Sequence, residues 1–382
     1  ILRKNIMKKE NRIFLVAVIF SLIFVICIKH DGVQKVSLFI PLILLVLQIV
    51  GNVIIKIKGI INICCGGLCA LLSSVAIVGI IKQSRNGDYS VYAGVSIAFC
   101  IFLCALILIG IRIVKDDEER VFLIMFAGFL LRAFYVILVQ AHYFQNDAGI
   151  LQPDDYGHLG YIYYLFAENR LPEVYTYQFY HPPLHHMISA IFMKAATMVG
   201  ISVYVVDELL QYVSLFYTIA TYGFLNKIGI KIGIGPKARI AGLGLAMFMP
   251  YGIMMSGLLN NDNLMILLVT MFIYYLICWY ETPTFKNIIC MAFCIGGAMM
   301  TKFSAALIAP AAAVVMLYKA VKEKSSLFQY IKQFAVFALI SFPIGLWHTI
   351  RNVVKFGLKL GYVPNVGDDS LQFIGMYSVW ER

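Results

Sequence analysis

The stretch VYAGVSIAFCIFLCALILIGIRIV, Val91 to Val114, carries a single charge, Arg112, and runs of this kind recur along the whole chain. They span Ile13 to Ile28, Val36 to Ile55, Ile60 to Ile81, Val91 to Val114, Val121 to Val139 and Pro183 to Val199. Beyond these lie Val206 to Leu225, Ile240 to Leu259, Leu264 to Tyr280, Ile288 to Met300, Ala305 to Tyr318 and Phe334 to Ile350. A helix needs about 20 apolar residues to cross the hydrocarbon core, where every backbone polar group must be bonded within the protein. The chain is therefore read as an all-α polytopic membrane protein whose core forms between helices in lipid.

Composition agrees. Of 382 residues 61% are apolar and only 13% charged, with mean hydropathy +0.84, against about 25% charged residues in soluble domains. The net charge of +11 does not call for nucleic acid, because in a bilayer protein each charge must first be assigned to a side. All nine cysteines lie inside or at the ends of apolar runs, where a thiol behaves as a small hydrophobe.

Loops must alternate sides, and Lys and Arg gather on the cytoplasmic one. With RKNIMKKENR inside, KIKG and RIVKDDEER also fall inside. If all twelve runs crossed, NKIGIKIGIGPKAR and YKAVKEKSSLFQYIKQ would then fall outside. Treating Pro183 to Val199 as interfacial restores both; that run is short, opens on prolines and carries His185, His186 and Lys194. The expectation is a bundle of eleven spanning helices plus one interfacial helix.

Met7 opens MKKENRIFLVAVIFSLIFVICIKHDG, which reads as an uncleaved signal anchor. The last residues, MYSVWER, are polar, and a further C-terminal region is expected to follow them. The domain reading is 1–118 for an N-terminal four-helix extension and 119–364 for a membrane core with an outer loop at 140–182. Residues 365–382 then begin an outer loop or C-terminal region.

That outer loop contains QPDDYGHLGYIYYLFAENRLPEVYTYQFYHPPLHH, Gln152 to His186, an unusual concentration of acids, imidazoles and tyrosines. Asp154 and Asp155 precede Tyr156, Leu159, Tyr163 and Phe166 at helical spacing. One Asp can cap that helix, and a carboxylate near the interface can serve as a general base. The prolines after His181 can simply start a helix. His158, His185 and His186 match no standard zinc spacing; no cofactor is fixed by the sequence, and a divalent metal is left open. The tyrosines suit an aromatic belt before they suit sugar stacking. Three further polar features fall on the same expected side: SGLLNNDNL with Asp262, MMTKFS with Lys302, and WHTIRNVVKFGLKLGYVPN with Arg351. Arg132, inside FLLRAFY, needs a partner within the bundle.

The acidic pair, then HPPL, SGLLNND, TKFS and RN..FG...GYVP in that order, resembles the GT-C superfamily of membrane glycosyltransferases. Within it, the chain is similar to the branch of protein O-mannosyltransferases and lipid A aminoarabinose transferases, over roughly Glu119 to Pro364. The resemblance implies inverting transfer of a sugar from a polyprenyl-phosphate donor to a glycan, lipid or protein acceptor. The site would lie on the extracytoplasmic side of a plasma membrane, bacterial by expectation, among membrane lipids. It implies Asp154 as the acceptor-side base; Asp155 stands where the branch more often has Glu. Candidate substrate-binding residues are His158, His181, Asp262, Lys302 and Arg351, the two cations facing the carrier phosphate. A secondary transporter is the alternative, since Arg132 and Lys302 would suit a substrate pathway, but no internal repeat supports it; a non-catalytic scaffold would not need this polar set. Cysteine labelling is expected to reach position 231 from inside and position 154 from outside; finding both on one side would overturn the topology.

Overall fold

The computed structural model describes residues 60, 64, 66–68, 70, 71, 89–139, 141, 157–175, 178–323, 327–360 and 362. The expected runs before residue 60, most of Ile60 to Ile81, Asp154, Asp155 and the region from 363 lie outside the described residues. Among those described, all regular structure is helical.

The helices are α1 (Tyr89–Ile113), α2 (Asp117–Leu138), α3 (His158–Glu168), α4 (Leu184–Met198) and α5 (Val203–Lys231). They continue as α6 (Pro236–Met247), α7 (Pro250–Met255), α8 (Asp262–Glu281) and α9 (Phe285–Met299). A 3-10 turn (Phe303–Ile308) leads into α10 (Ala309–Lys322), and α11 (Leu327–Phe356) follows. Local chemistry sets their ends. Asp116 caps α2 by accepting from the amides of Glu118 and Glu119 at 2.8 and 3.1 Å, with three acids in the first turn; both features offset the exposed N–H groups and the helix dipole. Proline opens α6, α7 and α10, where its missing N–H loses no helical bond.

Among the described residues, five segments are long and apolar enough to cross a bilayer: Ser96–Ile113, Asp117–Leu138, Asp262–Glu281, Phe303–Lys322 and Phe328–Phe356. This is an all-α integral membrane fold. Polar contacts sort into two ends of the bundle. At one end Glu118 pairs with Arg239, Lys231 with Glu281 at 2.5 Å, and Gln333 donates to the Pro283 carbonyl. At the other, the Leu184 amide donates to the Met300 carbonyl at 3.0 Å, Asn261 to Thr301 at 2.8 Å, and Lys302 pairs with Asp262 at 2.6 Å. The loops expected inside thus meet at one end, and the polar motifs at the other.

Helix α4, which covers the run expected to be interfacial, has 15 residues, about 22 Å at 1.5 Å per residue, short of a ~30 Å hydrocarbon core. Both its flanks meet the polar-motif end: Leu184 through Met300, and Val203 beyond it through the Tyr163 hydroxyl of α3 at 3.5 Å.

The expected single run Ile240 to Leu259 is corrected: it breaks at Met249–Pro250 into α6 and α7, followed by an irregular turn. Pro250 has no N–H to return to Ala246, and the freed carbonyls are met by side chains. Arg132, fully buried, donates to Met247 O, to Gly128 O at 3.3 Å and to the Tyr222 hydroxyl at 2.8 Å, while Tyr222 donates to Ala246 O at 3.0 Å. The guanidinium also stands at the negative C-terminal end of α6. The turn after α7 is treated similarly: Met255 O accepts from Asn263, Gly257 O from Gln211, Leu258 O from Ser214, and Leu259 O faces the His185 ring.

Packing elsewhere is tight. Phe99 of α1 stacks on Phe134 of α2 at 4.1 Å. A Cβ placed on Gly296 of α9 would meet Ile344 at 3.0 Å and the Ser341 carbonyl of α11 at 3.2 Å, and one on Gly345 would meet Met299 at 3.1 Å. Small residues let these two helices approach closely, the usual device for association in lipid. Replacing Arg132 with Met is expected to destabilise the protein in detergent by about 1–3 kcal/mol, the cost of leaving buried carbonyls unpaired. Lys should recover only part, lacking the planar fork; an unchanged thermal midpoint for Met would refute this account.

Candidate active site

The polar-motif end encloses a cavity of about 460 Å³ whose polar lining is Tyr180, His181, Lys302, Ser304, His348, Thr349, Asn352, Lys359 and Tyr362. Its apolar wall comes from Phe303, Ala306, Leu307 and Pro310. Three elements far apart in sequence are brought together: the loop before α4, the break between α9 and α10, and the end of α11.

Lys302 occupies the break between α9 and the 3-10 turn in an extended conformation, its amide donating to Ala298 O at 2.8 Å. The side chain reaches Asp262 Oδ1 at 2.6 Å, and both partners are about one-third exposed. Asp262 opens α8; its amide approaches Asn260 Oδ1 at 3.3 Å, and Oδ2 faces Asn260 Nδ2 at 3.4 Å. The ammonium has three donors, so after Asp262 two remain for a ligand in the cavity.

His181 lies at the cavity wall and begins a stack of rings. It stacks on His158 at 5.4 Å and contacts Tyr180 at 4.1 Å; His158 stacks on His186 at 5.2 Å, and His186 on Tyr161 at 4.2 Å. His158 Nδ1 and His186 Nε2 share a 2.9 Å hydrogen bond, while His186 Nδ1 meets no partner among the described residues. Assigned from this bonding, the His186 proton sits on Nε2 and that of His158 on Nε2 as well, because a buried bare lone pair costs less than a buried unpaired N–H. Burial, reinforced by Lys302, pushes His181 down from 6.5 to about 4. Burial likewise lowers His185 to about 4 and holds His158 and His186 well below their ordinary range. The rings are neutral at physiological pH, and a neutral imidazole offers a hydrogen-bond donor without a charge.

The sequence candidates divide accordingly. His181 and Lys302 line the cavity, Asp262 holds Lys302, and His158 backs His181. Arg351 does not line it: one guanidinium nitrogen donates to Pro172 O at 3.1 Å, another to Asn352 at 3.0 Å, and the group lies over Phe356. The N-cap position of α3 falls on Gly157, beyond Asp154 and Asp155. Tyr161 is fully buried, which removes it from the expected aromatic belt. Sequence reading missed His348, Asn352, Lys359 and Tyr362. The signal was present, since His348 and Asn352 flank Arg351 at minus three and plus one in the same quoted motif, and the turn after α11 carries the other two. Among the described residues no three His, Cys, Asp or Glu side chains are grouped to hold a metal ion.

Apolar helices that gather a lysine–aspartate pair and neutral imidazoles around one end cavity fit an integral membrane glycosyltransferase of the GT-C class, the class its motifs resemble. Residues 180–347, a little under half of the chain, match the family model described as dolichyl-phosphate-mannose-protein mannosyltransferase. The match supports a mannosyltransferase-like membrane enzyme with a polyprenyl-phosphate sugar donor. It takes in His181, Asp262 and Lys302. No curated protein and no solved structure matches the chain.

Stability should fall on mild acidification. The unfolded histidines protonate near 6.5 while the folded His181 and His185 resist until about 4, so between those values the unfolded state binds more protons and stability rises with pH. The thermal midpoint in detergent is expected to drop between pH 7 and pH 5, less steeply in His181→Gln; a flat profile would contradict neutral buried rings.

Proposed function

We propose that the chain transfers a sugar from a polyprenyl-phosphate carrier to an acceptor hydroxyl on a glycan, lipid or protein, with inversion, at the extracytoplasmic surface. The catalytic core would be residues 119–364, with 1–118 as an accessory membrane extension and 140–182 as the core's outer loop. The observation that carries this reading is the cavity at the polar-motif end, where Lys302, His181, His348 and Asn352 converge beside an open apolar wall.

The chemistry follows from charge. The acceptor oxygen attacks the anomeric carbon from the face opposite the phosphate, the anomeric C–O bond breaks, and its electron pair leaves with the phosphate. The carrier's phosphodiester, with one negative charge, becomes a phosphomonoester with up to two. Groups placed where that charge develops favour the transition state over the ground state. Lys302, steadied by Asp262, supplies a cation there; neutral His181, with His348 and Asn352, supplies hydrogen bonds. The wall of Phe303, Ala306, Leu307 and Pro310 suits the first isoprenoid units.

The acceptor proton goes to a carboxylate in the loop 140–182. Asp154 is the proposed base, resting on its place before HPPL and on the acidic pair of the resembling branch. Asp154→Asn should fold normally and lose about 10²-fold or more in transfer rate, measured with a purified polyprenyl-phosphate sugar. Asp155→Asn should retain most activity, because the resemblance puts the acceptor-side base at the first acidic residue of the pair. The reverse pattern would assign the base to Asp155, and full activity in both would end the loop-base reading.

A further inference from the structure

A second groove lies beside the first. It is a cleft of about 230 Å³ between the end of α3, the middle of α4 and α11, lined in part by Asn169, Arg170, Met187, Ile191, Lys194 and Trp347. Trp347 and His348 are neighbours on α11; one lines this groove and the other the cavity. Helical neighbours diverge by about 100°, so the two spaces occupy different flanks of α11.

We propose that this groove is a binding site for a bilayer phospholipid, with its monoanionic phosphodiester seated between Arg170 and Lys194. The charge fits. Arg170 pairs with Glu168 at 3.2 Å, and Lys194 donates to Asn169 Oδ1; two cations and one carboxylate leave a single positive charge, the complement of a phosphodiester. Both cations gather where α3 ends at Asn169 in the left-handed conformation, at the negative pole of that helix. The lysine keeps two donors after Asn169, and the exposed guanidinium keeps several after Glu168.

The rest of the groove is made for an amphiphile. Met187 and Ile191, one turn apart on α4, are 40% and 65% exposed, and the apolar surface continues to Met198 at 85%. A soluble phosphate would leave this face bare, whereas acyl chains descending from Lys194 would cover it. Trp347, partly exposed beside them, suits the headgroup boundary. A sugar carrier also has a phosphodiester, but one seated here would place its sugar across α11 from Lys302 and His181. Arg351 bonds Pro172 O beside the groove's rim, so an occupied groove would brace α3 and α4 against α11.

The test uses the whole chain in detergent, titrated with phosphatidylglycerol or zwitterionic phosphatidylcholine and read by native mass spectrometry as lipid bound per chain. One phosphatidylglycerol should bind about tenfold more tightly than phosphatidylcholine, as expected for charge-assisted hydrogen bonds to an unopposed anion. The pair R170Q and K194Q should remove that preference, and R170K with K194R should keep it. Replacing Lys322 and Lys332, at the opposite end of the bundle, should leave it unchanged. Without any substitution, raising salt from about 0.1 to 1 M, which shortens screening from about 10 to 3 Å, should shrink it. Equal affinity for both lipids, or a preference surviving R170Q/K194Q, would overturn the proposal. Displacement of phosphatidylglycerol by one equivalent of polyprenyl-phosphate sugar would also overturn it and give the groove to the carrier. None of these readouts requires transfer activity, so the result stands apart from the assignment of the reaction.

Discussion

The structure depends on satisfying a broken span inside lipid. From Pro236 to Asp262 the chain passes between the bundle's ends without a continuous helix, and hydrocarbon supplies no water for the carbonyls released at the break. Arg132 and Tyr222 take those at the end of α6; Asn263, Gln211 and Ser214 take those after α7. The donors come from α2, α5 and α8, so the same bonds that make the break tolerable lock three helices around it. Asp262 follows immediately, and its position opposite Lys302 is a product of that locking.

The site repeats the principle on a smaller scale. Its imidazoles are buried together, and burial holds them neutral, so they can be packed ring on ring without mutual repulsion. An ion pair, Lys302 with Asp262, sits about one-third exposed at the cavity wall, where desolvation is partial and the ammonium still has donors to offer. A fully buried pair would be more costly to assemble and less able to respond to a ligand.

Much of this was legible in the chain because lipid imposes strict rules. Apolar length marked α1, α2, α8 and α11, and loop charge singled out Pro183 to Val199, which the structure builds as the short α4 with both flanks at one end. The break at Pro250 was visible as a proline yet read as part of one run, because apolar content alone cannot say which carbonyls find donors. Arg132 was recognisably in need of partners, but these are carbonyls of α2 and α6 and a tyrosine of α5, which no local pattern announces. His181, Asp262 and Lys302 were singled out by their motifs, and the structure sets His181 and Lys302 on the cavity wall with Asp262 against Lys302. His348 and Asn352 were overshadowed by Arg351: charge drew the reading, whereas the helix turns Arg351 towards Pro172 and its neighbours towards the cavity.

The glycine contact between α9 and α11 fixes one dimension of that cavity. Gly296 sits against Ile344 and the Ser341 backbone, Gly345 against Met299, and the flanking residues of these same helices lead to Lys302 and His348. Walls joined with so little clearance hold the two helices close together at that contact. A change in the size of what enters would then be met at the rim, where Leu307 stands in the 3-10 turn and Lys359 and Tyr362 in the turn after α11.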